Sequence, residues 1–398
     1  MPSRAAGSVE GVWHETSTRA LGRGVCDPRM EAGKMVMVLR RGVEYVRMRL
    51  RGPAPLLLLA GLNAGSAFGS LTFPSAPLDM DVFRASGRAL IAGESPYQVT
   101  GVNNLNAPAS LLFFHAAAVA LGDLWTPAAW YFASLAAYLM SLLILARHYP
   151  SPAGPTRPAT AMAPYALWIT IRYRELYTFL VLLLAVAYWA TIRERVLVAA
   201  AFGGLLVAFK PNFAVWPALI LLSGHRRLGV ALSIGAALWC LLAAIIYGPG
   251  PYIEWLSIIR ALLPLELSYP HNSSLQSIAY RLGFAWAGPV LSGFVLAGVA
   301  AWAWRVRPDP PRAVPVALLA GILASPISMP GYACFLVPGF LSRPWNRPMW
   351  IAAGLLLVPL WLREFLGFDF QILWAALVTA VYSGAAVGFF LPVRRSPG

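Results

Sequence analysis

The stretch VLVAAAFGGLLVAFKPNFAVWPALILLS, residues 196–223, is apolar throughout except where Lys210 and Pro211 interrupt it. A transmembrane helix needs roughly 20 such residues. Proline removes a backbone donor, so at bilayer depth it is tolerated only where a helix breaks inside protein or lines a cavity. The stretch therefore predicts two half-helices whose tips approach a polar pocket. A lysine at that depth is costly unless it is paired or faces water, which makes Lys210 a candidate functional residue.

The same pattern recurs in ASPISMPGYACF, residues 324–335, and most of the chain after residue 51 is apolar. Of the 398 residues, 59% are hydrophobic, and 15 are tryptophan. A soluble domain of this size cannot hide that much apolar surface, so the solvent must be the bilayer. We therefore predict an all-α, polytopic integral membrane protein with roughly 10 to 13 transmembrane helices, half-helices included. The apolar runs are 54–73, 107–121, 126–146, 160–173, 176–192, 196–223, 228–247, 285–304, 313–341, 348–362 and 370–391.

The net charge of +15 is concentrated in arginines at the ends of these runs. This pattern is typical of cytoplasmic loops in the plasma membrane and not of a nucleic-acid-binding surface, because no soluble basic module is present. We expect residues 1–51 to be cytoplasmic and mostly disordered, and residues 52–398 to form one transmembrane domain. Its extracytoplasmic loops are 74–106 and 248–284. The basic groups of 147–195 cannot all lie on one side, so at least one must face outside or a cavity.

Carboxylates are scarce, since only eleven follow residue 51. Two of them, Asp79 and Asp81, open the segment DMDVFRASGRALIAG, which predicts a short amphipathic helix on the membrane surface that ends at Gly93. One aspartate is explained as a helix cap, but two are not. Arg84 and Arg88 lie four residues apart, where like charges repel unless an anion such as a lipid headgroup or a substrate phosphate lies between them.

Further polar candidates interrupt apolar segments or crowd a loop. Arg172, Arg174 and Glu175 in WITIRYRELY are either an interfacial ion pair or part of a site. The second outer loop ends in a dense set of hydrogen-bonding residues: His271, Asn272, Ser274 and Arg281. The chain has no HExxH, GxSxG, Walker or paired CxxC motif. We expect no cofactor and no obvious metal site, and the sequence leaves a divalent metal open.

Together, five segments resemble glycosyltransferase family 87, the DUF2029 group of membrane-embedded GT-C enzymes. They are DMDVFRASGRALIAGESPY, NAPASLLFFHAAAVAL, FKPNFAVWPALILL, HNSSLQSIAYRLG and ILASPISMPGYACFLVPGF. The resemblance covers residues 54 to 341. It implies a GT-C-like helix bundle and inverting transfer of a sugar, mannose or a pentose, from a polyprenyl-phosphate donor. The acceptor would be a lipid or glycan at the extracytoplasmic face, with membrane lipids as the other partners.

The resemblance also assigns residues. The family's essential acid falls on Asp79, the expected general base, with Asp81 as second choice. Cations must stabilise the departing phosphate, and the candidates are Lys210, Arg174, Arg281 and Arg84. The expected ligands of sugar hydroxyls or acceptor are His271, Asn272, Ser274 and Tyr332. The chain departs from the family in having Arg174-Glu175 where Gly-Gln is common, and in supplying only Tyr332 where histidines often follow.

Two other functions compete with transfer. A transporter or flippase would show inverted repeats and matching intramembrane charges in its two halves, and neither is visible in the sequence. A noncatalytic cell-envelope assembly subunit would keep the fold without the chemistry, and the missing histidines favour that alternative. The long acidic outer loop favours the enzyme.

Overall fold

The structure is a computed structural model. It describes Gly61, Gly65 and Phe68 and the ranges 79–98, 104–148, 165–269 and 272–342. All of these belong to the compact unit Gly52–Gly398. The predictions that lie entirely or almost entirely outside the described residues are those for 1–51, 54–73, 348–362 and 370–391.

The described residues are helical and contain no strand. Their α-helices are α1 Asp79–Ala92, α2 Ser110–Leu121, α3 Pro127–His148, α4 Tyr165–Arg172, α5 Tyr177–Ile192, α6 Val196–Phe209, α7 Val215–Leu222, α8 Arg226–Tyr247, α9 Gly250–Ser268, α10 Leu275–Arg281, α11 Ala287–Val306, α12 Pro310–Ala324 and α13 Val337–Ser342. Three 3-10 segments, Gly122–Leu124, Pro211–Ala214 and Pro330–Leu336, join them.

Within the described part of the chain, three helices are long and apolar enough to cross a bilayer: α3, α8 and α11. Five shorter apolar segments stand beside them: α2, α5, α6, α12 and Pro211–Leu222. Many large apolar side chains on the outside are exposed, for example Leu197 at 84% and Ile245 at 71%. An outer surface of this kind is stable only against lipid. The all-α membrane bundle is therefore confirmed.

Both predicted helix breaks are also confirmed. α6 ends at Phe209, Pro211 opens a 3-10 turn, and α7 resumes at Val215. α12 ends at Ala324, since Ser325 takes the extended backbone that a following proline imposes. The two breaks meet, because a side chain on Gly321 would come within 2.7 Å of the Asn212 carbonyl oxygen.

Arginines mark the opposite end of the bundle. α6 and α12 both begin at this end. The connection between α7 and α8 contacts the connection between α11 and α12 there, since the ring nitrogen Nε2 of His225 lies 3.1 Å from the Pro308 carbonyl oxygen. The arginines at this end are Arg193, Arg195, Arg226, Arg227, Arg305, Arg307 and Arg312. α5 begins after the turn at Arg174, at the other end of the bundle, and ends beside Arg193 at the arginine-rich end. The described basic groups of 147–195 thus lie at both ends of the bundle.

The helix α1 is confirmed and ends at Gly93, whose φ of 74° suits glycine. However, its apolar face packs against α2. Phe83 stacks on Phe114 with 4.5 Å between ring centroids, and a side chain on Gly87 would collide with the Phe114 carbonyl oxygen. The expectation that this face rests on the membrane surface is corrected, because aromatic stacking inside the protein already covers it.

The second predicted outer loop also contains regular structure. α9 and α10 fill most of residues 248–284, and the hydroxyl group of Ser274 caps α10 by accepting a hydrogen bond from the Ser277 amide at 3.0 Å. None of the 19 residues of α9 is fully buried. The helix is tied to the first loop by two hydrogen bonds, from Ser95 to Glu254 at 2.5 Å and from Trp255 to the Leu105 carbonyl at 3.1 Å.

The crossing of α6 with α8 depends on glycine. A side chain on Gly204 would lie 2.5 Å from the backbone of Gly235, and one on Gly235 would collide with the Ala200 carbonyl oxygen. Small residues let helix backbones approach in this way in membranes, where packing drives association.

We predict that Gly235→Ala lowers the unfolding free energy by about 1–3 kcal/mol, because the added methyl group overpacks the crossing. Gly298→Ala is the matched control, since open space surrounds that glycine on α11. An alanine there should raise stability by about 0.5–1 kcal/mol through helix propensity. Thermal unfolding of both variants in lipid nanodiscs measures the difference. A Gly235→Ala protein as stable as Gly298→Ala would contradict the close crossing.

Candidate active site

The two helix breaks open onto one cavity of about 920 Å³. Residues Lys210–Asn212 from the first break and Ser325–Ile327 from the second line it. α1 contributes Asp79, the turn between α4 and α5 contributes Glu175, and α9 contributes Glu266. The cavity thus collects chemistry-bearing side chains from five separate parts of the sequence.

Asp79 starts α1 in the wall of this cavity. Its backbone amide donates to the Tyr173 carbonyl at 3.2 Å, which fastens the first loop to the turn between α4 and α5. Burial raises the pKa of the Asp79 carboxyl group to about 6, against the opposing attraction of Lys210. A carboxylate with a pKa near neutrality is suited to accept a proton.

Asp81 lies two residues further along α1 and has a different environment. Its carboxylate lies 3.7 Å from the Arg174 guanidinium, and its side chain is 42% exposed. Arg174 itself is buried and takes a left-handed backbone conformation, with a φ of 57°. Backbone strain of this kind persists where the surroundings fix the residue. Neither residue contributes to the cavity lining that the described residues form.

Lys210 projects into the cavity beside two aromatic rings. Its Nζ atom lies 5.3 Å from the ring centroid of Tyr177 and 5.6 Å from that of Tyr332. Among the described residues no carboxylate forms an ion pair with this ammonium group. The rings stabilise the cation while leaving its hydrogen-bond donors unused. An anion in the cavity could therefore take those donors.

Of the predicted sugar and acceptor ligands, Tyr332 lines the cavity. Asn272 and Ser274 instead bond to the protein. The Asn272 amide group donates to the carbonyls of Glu266 and Pro326, and its oxygen accepts from the amides of Ser274 and Ser328. These bonds fix the loop before α10 against the second helix break. His271 lies outside the described residues.

Two predicted phosphate ligands also lie away from the cavity lining formed by the described residues. The Arg281 guanidinium donates to the carbonyls of Tyr269 and Asn272, at 3.0 and 3.2 Å. Arg84 is partly buried on α1. The structure thus brings together Asp79, Lys210 and Tyr332 from the predicted set, and it separates them from Asp81, Arg174, Arg281, Arg84, Asn272 and Ser274.

Two further carboxyl groups line the cavity. The sequence analysis left Glu175 open, as a member of an interfacial ion pair or of a site, and did not single out Glu266. Glu175 accepts a hydrogen bond from the Thr170 hydroxyl at 3.2 Å, and its pKa is raised by burial and by the nearby Asp79. Burial and Asp79 also raise the pKa of Glu266. Glu175 was visible in the sequence as an acid inside an apolar stretch. Glu266 gave no signal, because a loop tolerates any acid.

Among the described residues, no three histidine, cysteine, aspartate or glutamate side chains are grouped so that they could hold a metal ion. The described lining of the cavity offers the Asp79 carboxyl group, an ammonium group, two more carboxyl groups and aromatic walls.

Comparison with protein families gives a match. The family model described as glycosyltransferase family 87 matches residues 104–326, which is more than half of the chain. The matched region contains the turn at Glu175, the first helix break and α9, and it ends at Pro326 in the second break. No curated protein matches the chain.

Proposed function

Because the chain belongs to glycosyltransferase family 87, and is thus a membrane glycosyltransferase, we propose that its donor is a polyprenyl-phosphate sugar. The sugar is mannose or a pentose, and the acceptor is a lipid or glycan hydroxyl group. Transfer inverts the configuration at the anomeric carbon and takes place at the extracytoplasmic face of the plasma membrane.

One observation carries this proposal: Asp79 and Lys210 line the same cavity, and among the described residues the Lys210 ammonium group forms no close ion pair with a carboxylate. Asp79 accepts the proton of the acceptor hydroxyl group as its oxygen attacks the anomeric carbon. The bond from that carbon to the phosphate oxygen breaks, and the phosphate leaves with the electron pair. Lys210 stabilises the negative charge that develops on it.

The cavity suits a lipid-linked donor in size and position. Its volume of about 920 Å³ is at the upper end of the range of roughly 300–1,000 Å³ that is usual for ligand sites. Leu296 lines the cavity from α11 and is 37% exposed. In this proposal the polyprenyl tail leaves the cavity toward lipid at this helix.

The position of the arginine-rich end of the bundle supports an extracytoplasmic location for the cavity. The positive-inside rule assigns those connections to the cytoplasm. The cavity lies where α6 and α12 end, at the other end of the bundle. The site would then face away from the cytoplasm.

The remaining predicted residues take indirect roles in this proposal. Arg174 orients Asp81 and the start of α1, and Asn272, Ser274 and Arg281 hold the loop that joins α9 to α10. Tyr332 backs Lys210. His271 remains a predicted ligand of the sugar, and Arg84 a predicted ligand of lipid phosphate.

The test is sugar transfer by the purified protein in lipid vesicles, with a panel of polyprenyl-phosphate sugars and a broad lipid and glycan extract as acceptor. We expect transfer from one donor class and none from nucleotide sugars. Movement of the donor across the vesicle membrane without transfer would favour the transporter. Donor binding without turnover would favour the noncatalytic subunit.

A further inference from the structure

The charges of the cavity do not balance if every acid is ionised. Within the described residues, Asp79, Glu175 and Glu266 line it together with one ammonium group, that of Lys210. Three negative charges and one positive charge would give the wall a net charge of −2. A phosphate-linked donor adds a further negative charge, and like charges in a poorly solvated site repel strongly. At least one carboxyl group must therefore carry a proton.

Glu175 is the group whose surroundings favour the proton most. Its backbone amide donates to the Thr170 carbonyl at 2.9 Å, and its Oε2 atom accepts from the hydroxyl group of the same threonine. Among the described residues, this is the only hydrogen bond to its carboxyl group. Glu175 is partly buried in the wall of the cavity. Hydrogen bonds from two or three donors strongly favour the charged form of a carboxyl group, and one neutral hydroxyl group gives much less of this stabilisation.

Gly331 fixes where the Glu175 carboxyl group lies. A side chain on Gly331 would collide with Glu175 Oε2 and would come within 2.6 Å of the Thr170 hydroxyl oxygen. The 3-10 segment therefore packs directly behind the carboxyl group, and Glu175 faces the cavity. The titratable and charged groups on the surrounding elements are Asp79 on α1, Tyr177 on α5, Lys210 after α6, Glu266 on α9, and Tyr332 and Cys334 on the 3-10 segment.

Resting on the proposed function, we propose that Glu175 works protonated, as a hydrogen-bond donor to oxygens of the bound donor substrate, while Asp79 works ionised. Two carboxyl groups of one cavity then have opposite roles, which their surroundings set. Because a protonated Glu175 is neutral, it does not compete with the phosphate for the ammonium group of Lys210. It also does not repel the incoming anionic substrate.

Substitution distinguishes the two roles, because glutamine has the shape of a protonated glutamate and can donate but cannot ionise. We expect Glu175→Gln to keep transfer within about tenfold of the wild type, and Glu175→Ala to lose roughly 10- to 100-fold, since it removes both the donor and the oxygen that accepts from Thr170. Gly331→Ala should displace the carboxyl group and lose as much as Glu175→Ala.

The pH profile gives a second measurement. In the wild type, transfer should fall on the alkaline side as Glu175 ionises, and this decline should be absent in Glu175→Gln. Glu94→Gln is the matched control, because Glu94 is exposed beyond the end of α1, and its profile should equal that of the wild type. A Glu175→Gln enzyme as inactive as Glu175→Ala, or with an unchanged alkaline decline, would overturn the inference.

Infrared spectroscopy tests the proton without turnover. At neutral pH, the C=O stretching band of a protonated carboxyl group should be present in the wild type and in Glu94→Gln, and lost in Glu175→Gln. An unchanged band in Glu175→Gln would show that Glu175 does not hold the proton. Failure of the wild type to transfer any sugar would overturn the proposed function instead, so the two failures are distinguishable.

Discussion

Replacement of Asp79 by asparagine is expected to lower the rate of sugar transfer by about 10²- to 10⁴-fold, the contribution typical of a general base. Asparagine keeps the size of the side chain and removes its ability to accept the acceptor's proton. Asp81→Asn is the matched control, because the Asp81 carboxylate pairs with Arg174 and is 42% exposed. We expect its loss to be less than about tenfold, in keeping with the small contribution of exposed ion pairs.

The pH dependence of the wild type should report the same group. The pKa of Asp79 is raised by burial from 3.8 to about 6, and the base must be ionised. Transfer should therefore decline on the acid side as the pH falls through about 6, separately from the alkaline decline expected for Glu175. The measurement is kcat/KM against pH. A profile that stays flat well below pH 6, or full activity in Asp79→Asn, would exclude Asp79 as the base.

Folding stability separates lost chemistry from lost structure in this experiment. A carboxyl group whose pKa is raised in the folded state binds its proton more tightly there than in the unfolded chain. Its ionisation thus lowers stability as the pH rises from 3.8 through about 6. Asparagine removes that penalty, so Asp79→Asn should unfold no earlier than the wild type at neutral pH. An inactive variant that also melts early would not test the base.

Replacement of Lys210 by methionine is expected to lower kcat by about 10²- to 10³-fold, as when a single group that stabilises transition-state charge is removed. Methionine fills the space between the rings of Tyr177 and Tyr332 without a charge. Because the interaction with phosphate strengthens as the bond breaks, the loss should appear in kcat more than in KM.

Two further variants sharpen the lysine experiment. Lys210→Arg keeps the charge and should recover part of the rate. Arg260→Met removes an exposed cation from α9 and should leave transfer unchanged. If Lys210→Met and Arg260→Met transfer at the same rate, the phosphate has another partner in the cavity.

Much of the fold could be predicted because the bilayer and proline impose simple rules. The apolar runs locate the helices, and Pro211 and Pro326 locate the breaks. Both features follow from the local sequence and do not depend on residues that are distant in the chain. The position of α1 against α2 could not be predicted in this way. An amphipathic helix has the same sequence pattern whether its apolar face meets lipid or protein, and only the Phe83–Phe114 stack distinguishes them.

The site was partly predictable for a similar reason. Asp79 and Lys210 stand out because charged groups are unusual beside apolar segments, and Tyr332 was implied by the family resemblance. Asn272 was assigned to the sugar, yet its amide group bonds to the backbone carbonyls of Glu266 and Pro326. Sequence gives no way to distinguish an asparagine that binds substrate from one that fastens a loop. Glu266 was missed because its importance depends on which wall α9 forms.

The loosely held helix α9 has a practical consequence for anyone who purifies this protein. It forms one wall of the cavity, yet none of its residues is fully buried. Hydrogen bonds such as those of Glu254 and Trp255 attach it to the first loop. Weakly packed elements open at lower free energy than the core does. A harsh detergent should therefore inactivate the enzyme well before circular dichroism detects unfolding, and residual helicity would be a poor guide to whether a preparation is competent.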